Sequence, residues 1–140
     1  MIELEKTFAG KKENISSMLD FLVSFTKDNN FPKTFTNQIL VVGDELFSNI
    51  VRHGYQDSGG PVYITQIYDE ENNQLTLVIA DEAKEFNQLS VNNEKITEDN
   101  LRIGGLGIFI VKQIMDDCSY QRKDDKNILT LKKKFDKHSF

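Results

Sequence analysis

Three short stretches of the chain carry residues whose types and spacing could do chemistry. The first is Glu45 with Asn49, one helical turn apart. At about 100° per residue, Gln38, Glu45, Asn49 and Arg52 fall on one narrow helix face. The apolar stripe Phe35, Ile39, Val42, Leu46 and Ile50 runs beside it. A carboxylate and a carboxamide bordering a core make a partly buried polar site. An Asn carbonyl oxygen is a hard ligand suited to Mg²⁺, which keeps several waters and shares itself with substrate phosphates. A Glu in that place could position or deprotonate a hydroxyl or a water. Taken alone, the same face also reads as a solvated helix flank.

The second stretch is Gly104-Gly105-Leu106-Gly107, at the start of an expected helix. Glycines let a backbone approach an anion closely, and the first helical N–H groups point at it with the positive end of the dipole. The spacing is not that of a P-loop, and no strand leads into it as in a dinucleotide fold. A hinge or tight turn is the alternative. The third is Asp81, closing the apolar run LTLVIAD. A carboxylate there can accept a hydrogen bond from an exocyclic amine; a strand-terminal Asp is also a common turn former. Ser48, Ser90 and Ser119 with His53 and His138 suggest no nucleophilic triad, because no elbow motif surrounds any serine. His53, beside Gly54, reads as a helix C-terminal residue rather than a metal ligand.

Several elements must position these residues. Residues 2–8 alternate apolar and polar, which predicts an edge strand. From Lys12 the period changes, and Ile15, Met18, Leu19, Leu22, Phe25 and Thr26 predict an amphipathic helix ending near Asn29–Asn30. Phe31-Pro32 breaks the chain, and Pro32 suits the first turn of a second helix over about Lys33–Arg52, with Gly54 just past its end. The segments PVYITQIYDE and QLTLVIAD, separated by Glu71-Asn72-Asn73, predict a hairpin with Leu75, Leu77 and Ile79 on one face. Residues 82–103 show no convincing period and predict a functional or mobile loop with weak helical stretches at most. A third helix follows to about Asp117. CSYQRKD and NILTLKKKF then predict two strands joined at Asp125-Lys126. Helices and strands that do not alternate point to one α+β domain over residues 1–140.

Composition narrows the function classes. The 140 residues carry 17 Lys and Arg against 22 Asp and Glu, a net charge of −5. That balance argues against a nucleic-acid partner, which needs a basic face. Lys132–Lys134 reads as the solvated end of a strand. Cys118 is the only cysteine, so neither a disulfide framework nor a Cys-based zinc site is expected. The N-terminus lacks an h-region, and no apolar run approaches the roughly 18 residues of a membrane span. A soluble, cytoplasmic protein with no membrane partner is the expectation.

The order helix Glu/Asn, strand Asp, long loop, Gly-rich helix start carries a resemblance. VGDELFSNIVRHGY resembles the N-box of the GHKL (Bergerat-fold) ATPase and kinase superfamily, and its Glu-x-x-x-Asn spacing and HGY ending look most like the bacterial anti-sigma factor serine kinases. IGGLGIFIVKQIMDDCSYQRKDDKNILTLKKK is similar to that family's G2 box, third helix and closing hairpin. The likeness covers roughly residues 35–134. It implies a two-layer α/β sandwich, a mixed, mostly antiparallel sheet with three helices on one face. It implies ATP and Mg²⁺ as cofactors, Glu45 as general base for a serine hydroxyl, and Asn49 as metal ligand. Asp81 would bind the adenine amine, while Gly104, Gly105, Leu106 and Gly107 would border the phosphates. Residues 87–103 would form the lid, and Thr130 on a closing strand would face the adenine. The implied partners are a small antagonist protein carrying the target serine and a sigma factor or other regulator. Relatives often form homodimers, but nothing in the periodicity marks a surface for one.

The departure is at Asp81-Glu82-Ala83-Lys84-Glu85-Phe86, where the family's G1 box has Asp-x-Gly-x-Gly or Asp-x-Gly before a Phe. Ala83 adds a Cβ where backbone passes near the base, and it disfavours positive φ by about 1 kcal/mol or more. Phe86 and Asn87 fit the kinase branch. Loss of the glycines favours a non-catalytic partner-switching module, whereas Glu45 favours a protein-serine kinase. The ATP-binding domain of a two-component histidine kinase is the third reading, and a separately encoded partner would have to supply its phospho-acceptor.

Overall fold

The computed structural model describes residues 1–90 and 105–136. The element order is β1 (Ile2–Ala9), α1 (Ile15–Asp28), α2 (Lys33–Asn49), β2 (Pro61–Asp69), β3 (Gln74–Asp81), α3 (Gly105–Ile114), β4 (Asp117–Lys123) and β5 (Lys126–Lys134). A 3₁₀ turn, Lys12–Asn14, leads into α1. The five strands form one sheet in the order β1-β2-β3-β5-β4. All four pairings are antiparallel, so among the described residues the sheet has no parallel component. The architecture is the expected α+β sandwich.

Alternation decides which face of the sheet is covered. On β3, Leu75, Leu77, Ile79 and Asp81 are buried while their neighbours are half-exposed. On β5 the buried set is Asn127, Leu129 and Leu131. The apolar members of these sets join Met18, Leu22 and Phe25 of α1, Ile39, Val42, Leu46 and Phe47 of α2, and Ile108 and Val111 of α3 in one core. At one end, Phe31, Phe35, Tyr68 and Phe135 pack edge to face, with ring centroids 4.8 Å apart for Phe31–Tyr68 and 5.0 Å for Phe35–Phe135. Such contacts add about 0.5–1.5 kcal/mol per pair beyond area burial. Tyr68 pairs with Leu75, at the opposite end of the β2–β3 ladder from the Val62–Asp81 pair. The aromatic cluster therefore closes one end of the sandwich, and the polar residues gather at the other.

Two element ends differ from expectation. The second helix stops as an α-helix at Asn49 and continues as a π-helical turn, Ile50–Gly54, with Tyr55 N–H bonded to Ile50 O at 2.8 Å. One extra residue per turn is a feature often found beside functional sites. The third helix ends at Ile114 rather than Asp117, because Asp117 already pairs with Lys132 in the closing hairpin. That hairpin turns through Asp124 and Asp125, both at positive φ (53° and 60°), as a two-residue loop with primed geometry requires.

Candidate functional site

The site is built from the last turns of α2, the ends of β3 and β5, and the segment after β3. Burial of the α2 apolar stripe fixes the phase of the helix: Ile39, Val42 and Leu46 are fully buried. Four residues past Glu45, Asn49 is 3% exposed, and Glu45 is half-buried at the rim. The Asn49 side-chain amide donates to Glu45 Oε1 and to Gln88 Oε1, both at 3.1 Å. Its Oδ1 accepts from Arg52 Nη2 at 3.3 Å. Burial pushes the Glu45 carboxyl above its ordinary value; the Asn49 hydrogen bond and the Arg52 charge partly offset this. Gln38, placed on the same face by angle, is exposed and lines a shallow groove with Phe35 and Phe135 at the far end of α2. Seven residues of rise, roughly 10 Å, separate it from Glu45.

Gly107 lies directly against Glu45. A Cβ at position 107 would overlap the Glu45 carboxylate, so the missing side chain is what allows α3 to approach α2 there. Leu106 is exposed beside it. Gly105 begins α3, and Gly104 falls outside the described residues, as do residues 91–103 of the expected lid and His138.

Asp81 closes β3 with 5% exposure. Its Oδ1 accepts from Ala83 N–H and from Asn127 Nδ2, both at 2.9 Å. Burial pushes the pKa of its carboxyl above the usual Asp value, against the opposing pull of these bonds and of Arg122. Thr130 does not reach this site. It pairs with Val78, three positions from Asn127, and an odd offset along a strand puts a side chain on the other face. Sequence reasoning chose the right strand and the wrong parity.

The glycine-free segment is held by residues that sequence reasoning passed over. Glu82 N–H donates to the Tyr55 hydroxyl, which itself donates to Pro61 O, both at 2.6 Å. Burial pushes the Tyr55 hydroxyl up to about 12. Arg122 Nη1 donates to Ala83 O at 2.8 Å, and Gln88 Nε2 reaches Leu46 O at 3.3 Å. Ala83 is buried and is not among the residues at positive φ. A Cβ on Gly54 would stand 3.2 Å from the Ala83 Cβ, so Gly54 supplies the room that Ala83 takes. The strain expected from an alanine at 83 is therefore absent.

Asn49, Ile50, His53, Gly54, Asp81 and Asn127, with Lys84, Phe86 and Gln88, line a cavity of about 210 Å³. That is smaller than the roughly 300–1,000 Å³ of a cleft enclosing a whole drug-sized ligand, and it suits one planar ring system. His53 lines this cavity, and its Nε2 is buried with no hydrogen-bond partner among the described residues. A buried carboxylate and apolar walls fit a heterocyclic base; Asn49 lines the same space and Glu45 adjoins it through Asn49.

The model of the histidine kinase-like ATPase domain matches residues 8–133. The chain belongs to that family. The family segment includes Glu45, Asn49, Asp81 and Asn127. The chain is similar to the anti-sigma F factor of Clostridium acetobutylicum, 24% identical over 95% of this chain and 94% of that protein. It is also similar to the serine-protein kinase RsbW of Staphylococcus epidermidis, 26% identical over 63% of this chain and 59% of that protein. The solved RsbU and RsbW domains of Rv1364c from Mycobacterium tuberculosis superpose with a TM-score of 0.69 at 12% identity, over 96% of this chain and 32% of that one. This last likeness speaks for the histidine kinase-like ATPase fold alone. No helix among the described residues is long and apolar enough to cross a membrane.

Proposed function

We propose that this chain is an ATP-dependent protein-serine kinase of the anti-sigma type. Its substrate is a small antagonist protein, and a sigma factor or similar regulator is held in the unphosphorylated state. The observation that carries the reading is that Asn49 and Asp81 line one cavity, with Glu45 hydrogen-bonded to Asn49 beside it, within a chain similar to proteins named for both roles. Bound Mg-ATP supplies a phosphoryl group for an acceptor hydroxyl, with ADP leaving. The chain's share of the work is positioning and one proton. Asp81 would take the base amine, and Asn49 Oδ1, which accepts from Arg52 Nη2, would hold the metal. Glu45, its basicity raised by burial, accepts the serine proton as the hydroxyl attacks. Gly107 leaves the Glu45 carboxylate its space, and the α3 N-terminus from Gly105 to Gly107 would border the phosphates. The antagonist docks at this rim, where α3 exposes Leu106, Phe109 and Ile110.

A non-catalytic holder is the second reading, favoured by Arg52 sitting on the Asn49 oxygen that a metal would need. Phosphorylation of an antagonist protein by wild type and by Glu45→Ala decides between the two. The kinase reading expects the variant to lose about 10²–10⁴-fold in transfer rate with ATP affinity retained. Equal phosphorylation by both proteins would remove Glu45 from its role.

A further inference from the structure

Asn127 faces Asp81 directly across the β3–β5 ladder and is buried. Its Nδ2 donates to Asp81 Oδ1 at 2.9 Å, to Lys84 O at 3.0 Å and, more weakly, to Ala83 O at 3.4 Å. Its Oδ1 accepts from the Tyr120 hydroxyl at 2.7 Å and from Phe86 N–H at 3.0 Å. A carboxamide offers two N–H donors and two carbonyl lone pairs, so the capacity of this side chain is spent inside the protein. The reverse orientation would set its oxygen against the Asp81 carboxylate and its amine against two donors. Asn127 therefore has nothing left for a ligand and must act through another group.

That group is Asp81. Both of its hydrogen bonds among the described residues fall on Oδ1, which leaves Oδ2 as an acceptor. We propose that Asn127 is a positioning residue that sets base selectivity: it holds Asp81 with Oδ1 turned into the protein and Oδ2 presented to the exocyclic amine of a 6-aminopurine. The same amide ties Ala83, Lys84 and Phe86, so the carboxylate keeps its pose in a segment without glycines. The inference rests on the ATP reading above. An ionised carboxylate only accepts, so a 6-oxopurine would meet it lone pair to lone pair. Without Asn127 the carboxylate is free to rotate and loses a bond that favours its charged form. A protonated Asp81 can donate to a 6-oxo group, and selectivity then falls from both directions.

The experiment compares binding of ATP and inosine triphosphate, with Mg²⁺, to wild type, Asn127→Ala, Asp81→Asn and the double variant. Wild type should prefer ATP by about tenfold or more, and Asn127→Ala should bring the ratio within about threefold of unity. The double variant should show the ratio of Asp81→Asn alone, since both act through one carboxylate. Tyr120→Phe, which removes a bond to Oδ1 only, should keep the preference. Should Asn127→Ala fail to melt cooperatively, Asn127→Ser retains a donor hydroxyl and should give an intermediate ratio. Parallel losses for both nucleotides would overturn the inference and leave Asn127 a purely structural residue. No binding of either nucleotide by wild type would instead sink the ATP reading, and this inference with it.

Discussion

The two halves of the cavity differ in what holds their residues in place. Glu45 and Asn49 sit on α2, whose buried stripe sets their direction; their mutual bond spans four residues. Asp81 and the segment behind it depend on partners far along the chain: Asn127 at a separation of 46 residues and Arg122 at 39. The helix half is oriented by its own helix, with Gln88 bonded to Asn49 from 39 residues away, and the strand half is assembled from distant partners. A change in the helix half should therefore alter the chemistry while leaving the fold alone, whereas the strand half couples recognition to stability.

The largest expected effect breaks the helix half by pH. Glu45 must be ionised to take a proton, and burial raises its pKa above the ordinary glutamate value. The phosphotransfer rate should fall as pH drops through that raised value, about tenfold per unit below it for a single base. In a pH–rate profile, an acid limb at the ordinary carboxylate position would contradict a base that burial has made less acidic.

A smaller effect separates recognition from stability in the strand half. Asp81→Asn keeps the Oδ1 acceptor for Ala83 and Asn127 but loses the charge. ATP affinity should fall about 10–100-fold, the worth of one hydrogen bond to a charged group. Stability should move the other way. A carboxyl whose folded pKa is raised binds its proton more tightly when folded, so its contribution is present at low pH and lost as pH rises through the folded value. Removing the charge should thus raise the apo melting temperature at pH 7, and a lowered one in a thermal melt would count against the burial argument.

The smallest effect is at Ala83. Because Ala83 needs no positive φ, Ala83→Gly should change ATP affinity by less than about threefold while lowering stability by about 0.5–1 kcal/mol through chain entropy. A large gain in affinity on titration would mean that the methyl, and not the Asn127 clamp, governs the segment.

Legibility in the sequence followed the same division. Period 3.6 on α2 and period 2 on β3 gave those elements and their buried faces, and the GHKL resemblance joined Glu45, Asn49 and Asp81 into one set. The π-turn at Ile50–Gly54 was missed because nothing in residue type distinguishes it from a further α-turn. Asn127 was missed because it looks like any turn-proximal polar residue until its strand is registered against β3. The parity of that strand, Asn127 with Leu129 and Leu131, was available in the alternation and would have excluded Thr130. The bonds from Tyr55, Arg122 and Gln88 depend on three-dimensional closure that local pattern does not encode.

The central claim is that Asn49 and Asp81 border one Mg-ATP site. A calorimetric titration of ATP into wild type and Asn49→Ala, each with Mg²⁺ and with chelator, tests it most directly. Wild type should bind more tightly with Mg²⁺ than without it, by about tenfold or more, and Asn49→Ala should bind equally under both conditions. Absence of ATP binding by wild type, or an unchanged Mg²⁺ dependence in the variant, would contradict it.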